Sequence, residues 1–470
     1  MTGTEFNTVH INARPINAGK NMNIVLFIVS ARIILILILI LLILFYFRIK
    51  FFNLKIDFIN RKSENRNRFK LNEINGIIHF HTVYSDGSGR IEELIKIAKE
   101  LKADFLVSSD HNTLKPKLDG FEGYYDGLFY FAGEEINTEF GHFLAVGIEK
   151  EIKRGKYKDV LSEIKKQNGA GIICHPHNWW TPWKNFKVKG YDGIEVINLD
   201  SQWRGMNPLY MIAVIFTYKI NSFYALHFLS HKPVRTIKFW DSVQKRKNMK
   251  TGIASADAHS NVKVTRKKRI KFPKYSELFS VARTHVLLED KLSGKTYEDK
   301  KKITEAIKNG RCFFAFDMLG ISKGFYFGAE SSDGKKYFSG DYVDASEIKN
   351  KTEDKTNFKY NLNLNLKVKV GDNDKINDDA WGNLNKNDKK NVIIFAGIDI
   401  NGSKNPYKIN LFRNGRKIFS SKNADLIYEI KNINDFLKEP KSYFYRVEID
   451  VYFGRKKITY LYSNNIEIYG

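Results

Sequence analysis

Residues 77 to 86 read IIHFHTVYSD and place two of the chain's 11 histidines at one end of an apolar run. In a β-strand, positions i and i+2 project to the same face. His79 and His81 would therefore point together while Ile78 and Phe80 pack behind them, and two convergent imidazoles can begin a metal site. An HxH pair also recurs by chance, and a half-buried histidine more often makes an ordinary hydrogen bond, so the pair needs companions. They follow in SSDHN (Asp110, His111), GEEI (Glu134, Glu135), GH (Gly141, His142), CHPH (His175, His177) and SADAH (Asp257, His259).

Nearly every one of these groups follows a short apolar run, as in DFLVSSDH, LFYFAGEE, AGIICHPH and TGIASADAH, with GIEVIN as a further run between them. Stretches of helical spacing separate several of the runs. In RIEELIKIAKELKA, residues Ile91, Leu94, Ile95, Ala98 and Leu101 form one apolar stripe, and YKDVLSEIKKQNGA is similar, with Gly169 placed as a C-terminal cap. Strand and helix in alternation predict an α/β domain. Polar residues at the ends of its successive strands would share one rim, so that the dispersed histidines converge.

The ordered series HxH, a following Asp, SDH, GxE, GH, HP and DxH resembles the PHP (polymerase and histidinol phosphatase) superfamily of metal-dependent hydrolases over about residues 76 to 315. The resemblance implies a distorted (β/α)7 barrel holding two or three divalent ions, commonly zinc, manganese or iron. Carried over residue by residue, it gives one ion to His79, His81, Glu135 and Asp257. Glu135 would bridge to a second ion on His142 and His175, and Asp86, His111 and His259 would take a third. Imidazole and carboxylate accept borderline or hard divalent ions without singling one out. Glu135 is chosen over Glu134 because the family reads Gly-x-Glu-apolar, which leaves Glu134 as a solvated or supporting carboxylate. Asp110 either orients an imidazole or caps a strand end.

The resemblance implies a hydrolase, first of all a phosphoesterase in which a metal-bound hydroxide attacks phosphorus. His177 is the candidate proton donor to the leaving group, and Arg204, in NLDSQWR, is a candidate clamp for an anionic substrate or else an ion-pair partner of a barrel carboxylate. The same centre could cleave an amide, carbamate or carboxylic ester. A catalytically inactive, membrane-tethered binding protein is a third alternative, opposed by the completeness of the ligand set. NWWTPW (Trp179, Trp180, Trp183) could form a substrate wall or ordinary lid packing.

Residues 24 to 47, IVLFIVSARIILILILILLILFYF, contain Arg32 as their one charge and are long enough to cross a bilayer core of about 30 Å. The stretch ends without a small-residue cleavage site, which predicts a single-pass anchor rather than a cleaved leader. Lysines and arginines after the span would hold the enzyme in the cytoplasm, whereas the anchored branch of the family suggests the other side. A second apolar stretch, residues 209 to 229, is broken by Lys219, Asn221 and His227 and reads as two short helices that either cover the barrel or lie on the membrane beside the active-site rim, with packing the favoured reading.

The net charge of +25 would attract anionic lipid, nucleic acid or phosphorylated substrates. No RNA- or DNA-binding motif accompanies it, so nucleic acid is not favoured. Two cysteines, Cys174 and Cys312, without a CxxC pattern, exclude a disulfide framework or a zinc ribbon. Beyond residue 318 the helical spacing stops. FKYNLNLNLKVKV, YKINLFRNG, YFYRVEIDVYF and ITYLYSNNIEIYG alternate like strands, RNGR signals a hairpin, and an antiparallel β-sandwich is expected. The organisation is then an anchor and basic linker (1–70), the metal-binding barrel (71–318) and a β-sandwich (319–470).

Overall fold

The computed structural model of the chain describes residues 18–52, 71–263, 265, 269–320, 322–348, 369–370, 391–398, 405–430, 433 and 442–470. Most of FKYNLNLNLKVKV and of the polar stretch after it lies outside these residues.

Nine strands carry the N-terminal half: β1 (Asn72–Ile78), β2 (Phe105–Ser108), β3 (Gly123–Tyr125), β4 (Leu128–Ala132), β5 (Glu134–Thr138), β6 (Gly141–Val146), β7 (Ala170–Ile173), β8 (Gly193–Asn198) and β9 (Thr251–Ser255). They divide between two sheets. In one, β1, β2 and β4 run parallel; in the other, β5, β6 and β7 are antiparallel neighbours and β7, β8 and β9 run parallel. The sheets touch through single bridges, His111 to Glu135 and Phe80 to Ala258, so no continuous ladder closes the strands into a barrel among the described residues. The architecture is mixed α/β, with the two sheets meeting where the histidines lie.

The expected helices cover the sheets. Ile91–Glu100 buries Ile91, Leu94, Ile95 and Ala98, and Tyr157–Lys166 buries Val160, Leu161 and Ile164. The second helix ends differently from expectation: Gln167 is its cap and Asn168 takes the left-handed conformation at φ 59°, which an Asn side chain tolerates. Gly169 instead answers a close approach, since a Cβ there would stand 2.8 Å from an Ile148 methyl carbon.

The described strands between Tyr326 and Tyr469 fall in two sheets, and Tyr407–Arg413 turns through Asn414-Gly415 into Arg416–Lys422 as RNGR predicted. Pairing is mostly antiparallel, but Tyr342–Asp344 runs parallel to Ile466–Tyr469, and Lys369–Val370 parallel to Leu426–Ile430. The C-terminal strands also continue the first sheet: Lys456–Ser463 pairs with Cys312–Ala315, which joins β1 through Arg283–Leu288. Asn464 fastens this region to β9, its amide accepting from Gly252 N at 2.6 Å and donating to Gly252 O at 3.0 Å. The C-terminal region thereby braces the strand that leads to Asp257.

Buried His285 makes a second fastening. Its Nδ1 lies 2.8 Å from Glu73 Oε1 on β1, and its Nε2 lies 3.0 Å from Asp317 Oδ2 and 2.9 Å from Ser322 Oγ. Burial pulls the imidazole down, but the Asp317 and Glu73 carboxylates outweigh it and push the pKa up to about 9. A group raised in the folded state stabilises fully below its unfolded pKa near 6.5 and loses that contribution as pH rises through about 9. At about 1.4 kcal/mol per unit, up to about 3 kcal/mol is at stake. The melting temperature of His285→Gln should therefore trail wild type clearly at pH 6 and much less at pH 9.5; a deficit constant across that range would contradict the linkage.

Among the described residues one helix, Ala18–Lys50, is long and apolar enough to cross a membrane; Val29–Lys50 has a mean hydropathy of 2.9 and none of its most apolar window is buried. Residues 209–229 do form short helices, Pro208–Tyr218 and Ser222–Leu226, followed by a 3-10 turn. Packing holds for the second, which buries Ala225 and Leu226, but not for the first, where only Val214 and Thr217 are buried.

Candidate metal centre

Each donor sits just beyond a strand end or at the start of the next strand. His79 and His81 follow β1, His111 follows β2, Glu135 is the second residue of β5 shortly after β4, His175 follows β7, and Asp257 and His259 follow β9. His142 is at the start of β6, which runs antiparallel to β5 and so brings its first residues back to the same rim. Three donors leave their strands in left-handed backbone conformations: His79 at φ 61°, His175 at φ 28° and Asp257 at φ 44°. Non-glycine residues adopt such angles at a cost of about 1–3 kcal/mol each, and persist there when neighbours over-determine them. Here mutual backbone bonds do so, with His81 N donating to Ala258 O at 2.9 Å and His79 N to Val107 O at 3.1 Å.

Glu135 lies at the centre, 1% exposed. Its Oε1 is 2.8 Å from His142 Nδ1 and 2.9 Å from His175 Nε2, while its Oε2 is 3.1 Å from His81 Nε2, 3.2 Å from His111 Nδ1 and 3.3 Å from His79 Nε2. One carboxylate with its two oxygens turned to separate sets of imidazoles has the form of a bridging ligand. His79 Nε2 and His81 Nε2 are 3.3 Å apart, and Asp257 Oδ1 is 3.5 and 3.4 Å from them. A tetrahedral ion with bonds of about 2.0–2.1 Å separates its ligands by about 3.3 Å, so this spacing suits a shared cation. Asp86, His81, His111 and His259 form a further group, with His259 Nε2 3.3 Å from Asp86 Oδ1. His111 faces both ways, joining Glu135 and His142 as well as Asp86 and His259.

The electrostatics fit a cation. Burial disfavours charge on His79, yet the carboxylates of Glu195, Asp257 and Glu135 hold its pKa well above the usual value, and Asp257 and Glu135 carry His81 up to about 10 against the same penalty. Burial also opposes ionisation of Glu135 and Asp257, but the imidazoles around them keep both well below the carboxylate range. His111 is pulled down by burial to about 4, and its buried Nδ1, like that of His175, has no hydrogen-bond partner. Carboxylates buried this deeply need positive charge, and divalent ions with these donors as ligands would provide it.

The remaining candidates take other positions. Asp110 does not bond to an imidazole; it accepts from Thr82 N at 2.8 Å, Thr82 Oγ1 at 2.8 Å and Ser85 Oγ at 2.6 Å, securing the turn between His81 and Asp86. His177 belongs to none of the donor groups and lies 3.1 Å from Thr236 Oγ1 with its ring stacked on Phe186. Burial, with Arg235 nearby, lowers its pKa. Arg204 pairs with Asp200 one turn earlier on its own helix, and its guanidinium lies 4.2 Å from the centre of the Trp180 ring. Glu134 is buried rather than solvated: its Oε2 accepts from Ile152 N at 3.0 Å, and burial pushes its pKa up to about 8. Trp183 is core, while Trp179 and Trp180 stand exposed.

Sequence reasoning passed over Glu195, inside the apolar run GIEVIN. It is buried on β8, where Oε1 meets His79 Nδ1 and Oε2 accepts from His175 N at 2.8 Å and from Asn198 Nδ2 at 2.8 Å. Asn198 Nδ2 also donates to Asp257 Oδ2 at 2.9 Å. A lone acid among strand-forming apolar residues was the available signal, because a buried charge requires a partner.

No protein-family model and no curated protein matches the chain. Among solved structures it is similar to a two-domain Bacteroides vulgatus protein described as containing a PHP-like metal-dependent phosphoesterase (14% identity, 84% of this chain and 94% of that one, TM-score 0.30). It is also similar to a chain from Bifidobacterium adolescentis described as a metal-dependent phosphoesterase (13% identity, 43% and 93%, TM-score 0.23) and to a Chromobacterium violaceum amidohydrolase with bound sulfate (10%, 43% and 93%, TM-score 0.24). TM-scores this low establish neither fold nor activity, and the case for a metal centre rests on the side chains.

Proposed function

We propose that this chain is a membrane-anchored, metal-dependent hydrolase of the PHP kind, acting on a phosphoester. One observation carries the reading: nine candidate donors from six places along the strand ends meet in overlapping groups, each with its donor atoms within 4.8 Å of one another, and Glu135 joins three of those groups. Residues 71–318 would form the metal-carrying unit as a distorted barrel, residues 319–470 would brace it, and residues 24–47 would anchor it as a single span.

His79, His81, Glu135 and Asp257 would hold one ion, His142 and His175 with Glu135 a second, and Asp86, His111 and His259 a third. Divalent ions bound there supply Lewis acidity toward phosphoryl oxygens and lower the pKa of water toward neutrality. The chain's own contribution is to keep these donors aimed: Asp110 fixes the loop between two of them, and Glu195 and Asn198 fix His79 and Asp257.

The test is metal analysis of the full-length chain after chelator-free purification, with turnover of phosphomonoesters, phosphodiesters, carboxylic esters and amides measured with Mn, Zn or Fe added. At least two ions per chain and phosphoester turnover lost to chelator are expected. Turnover confined to amides or carboxylic esters would transfer the centre to the alternative chemistry, and under one ion per chain after reconstitution would remove the metal reading.

A further inference from the structure

The helix Pro208–Tyr218 turns an apolar face away from the protein. Leu209, Ile212, Ile215 and Phe216 share the side opposite buried Val214, and Leu209 and Phe216 are 76% and 75% exposed. A water-facing surface seldom leaves so contiguous an apolar patch, and such patches mark a partner or a membrane.

The end of the apolar N-terminal helix lies against this element. Asn221, in the corner after Pro208–Tyr218, donates through Nδ2 to the carbonyls of Ile49 at 2.9 Å and Phe52 at 3.0 Å. The Phe52 ring packs edge-on to Tyr224 at 4.8 Å and beside His227 at 4.7 Å. The point where Val29–Lys50 would leave a bilayer is thus clamped to one end of the exposed helix, whose 11 residues reach only about 16 Å from it. The basic segment around 269–274 runs alongside: Phe272 packs on Tyr218 at 4.5 Å, and Lys274 N donates to Tyr218 Oη at 3.1 Å. Lys219, Lys271 and Lys274 are exposed there. An apolar face flanked by cations is the composition of a helix lying in the headgroup region of an anionic bilayer.

We infer that Pro208–Tyr218 lies in the surface of the same bilayer that the N-terminal helix spans, as a second, non-spanning membrane contact. The inference rests on the anchor reading above. Its consequence for the metal centre follows from continuity. Asn198, which touches Asp257 and Glu195, caps the helix Leu199–Arg204, and the exposed helix begins four residues after Arg204. Trp179 and Trp180, 78% and 72% exposed, follow Asn178, whose amide donates to Asp200 on that same short helix. Two tryptophans at this level suit the lipid interface, and the rim would be held close to it.

The test uses full-length protein in 4:1 phosphatidylcholine–phosphatidylglycerol vesicles, with single introduced cysteines carrying a nitroxide at Leu39→Cys, Phe216→Cys and Lys417→Cys. Native Cys174 and Cys312 are buried, so labelling falls on the introduced sites. Collision with oxygen relative to a water-soluble nickel complex reads depth. The expected order is a high ratio at 39, a ratio at 216 several-fold above that at 417, and water-like behaviour at 417. Residue 39 deep and residue 216 indistinguishable from 417 would overturn the surface contact while leaving the anchor in place. A water-like residue 39 would overturn the anchor and the contact together.

Discussion

Glu135→Gln is expected to lower turnover by about 10³-fold or more, because Lewis-acid stabilisation is worth several kcal/mol and each 1.36 kcal/mol is tenfold in rate. The substitution preserves shape and removes the charge on which five imidazoles converge. An amide also has only one acceptor oxygen, so it cannot serve donors on both sides. The ligand sets of the first and second proposed ions would lose their shared member, and bound metal should fall by at least one ion per chain. Stability should fall less than activity, since Glu135 is itself costly to bury and its neighbours can lose their protons when its charge is gone. Turnover measured beside metal content on the same detergent-purified sample decides the matter. Wild-type rates with a full metal complement would reject the centre altogether.

The candidate donors could be picked out because nearly every group follows an apolar run, and strand ends gather on a rim whatever the closure of the sheets. The backbone that aims them was not. His79, His175 and Asp257 adopt left-handed angles with no glycine or asparagine to announce them, because the strain is imposed by bonds between segments far apart in sequence. Closure was equally hidden: the order of the strands follows from the alternation of patterns, but how far each pair of neighbours stays in register does not, and here β4 belongs to one sheet and β5 to the other. The apolar run at 209–229 could be read as helical but not assigned a neighbour, since periodicity says which face is apolar and not what covers it. Arg204 had two open readings, and its ion pair with Asp200 is an i,i+4 contact that NLDSQWR already contained.

Glu195 tests the part that was not legible. Its two oxygens have distinct tasks: Oε1 faces His79 Nδ1 as a hydrogen-bond acceptor, and Oε2 accepts from the His175 backbone and the Asn198 amide. With its Nδ1 proton committed to Glu195, His79 can present an unprotonated Nε2 toward Glu135 and Asp257. In Glu195→Gln the new NH2 must face one side. Turned toward His175 and Asn198, it meets two donors; turned toward His79, it obliges the imidazole to carry its proton on Nε2, where a metal ligand cannot have one. Either orientation degrades the ligand, and loss of such an outer partner typically costs 10–100-fold, so kcat/KM should fall by about that factor. The loss should appear as weaker metal binding, with a raised metal Kd and partial recovery of turnover in excess metal, while the fold survives because the volume is unchanged. Glu195→Asp, which keeps the charge on a shorter arm, should recover part of the affinity. A drop in melting temperature with metal Kd and turnover unaltered would mean that Glu195 serves only to pair buried polar groups, and that His79 needs no help to find its tautomer.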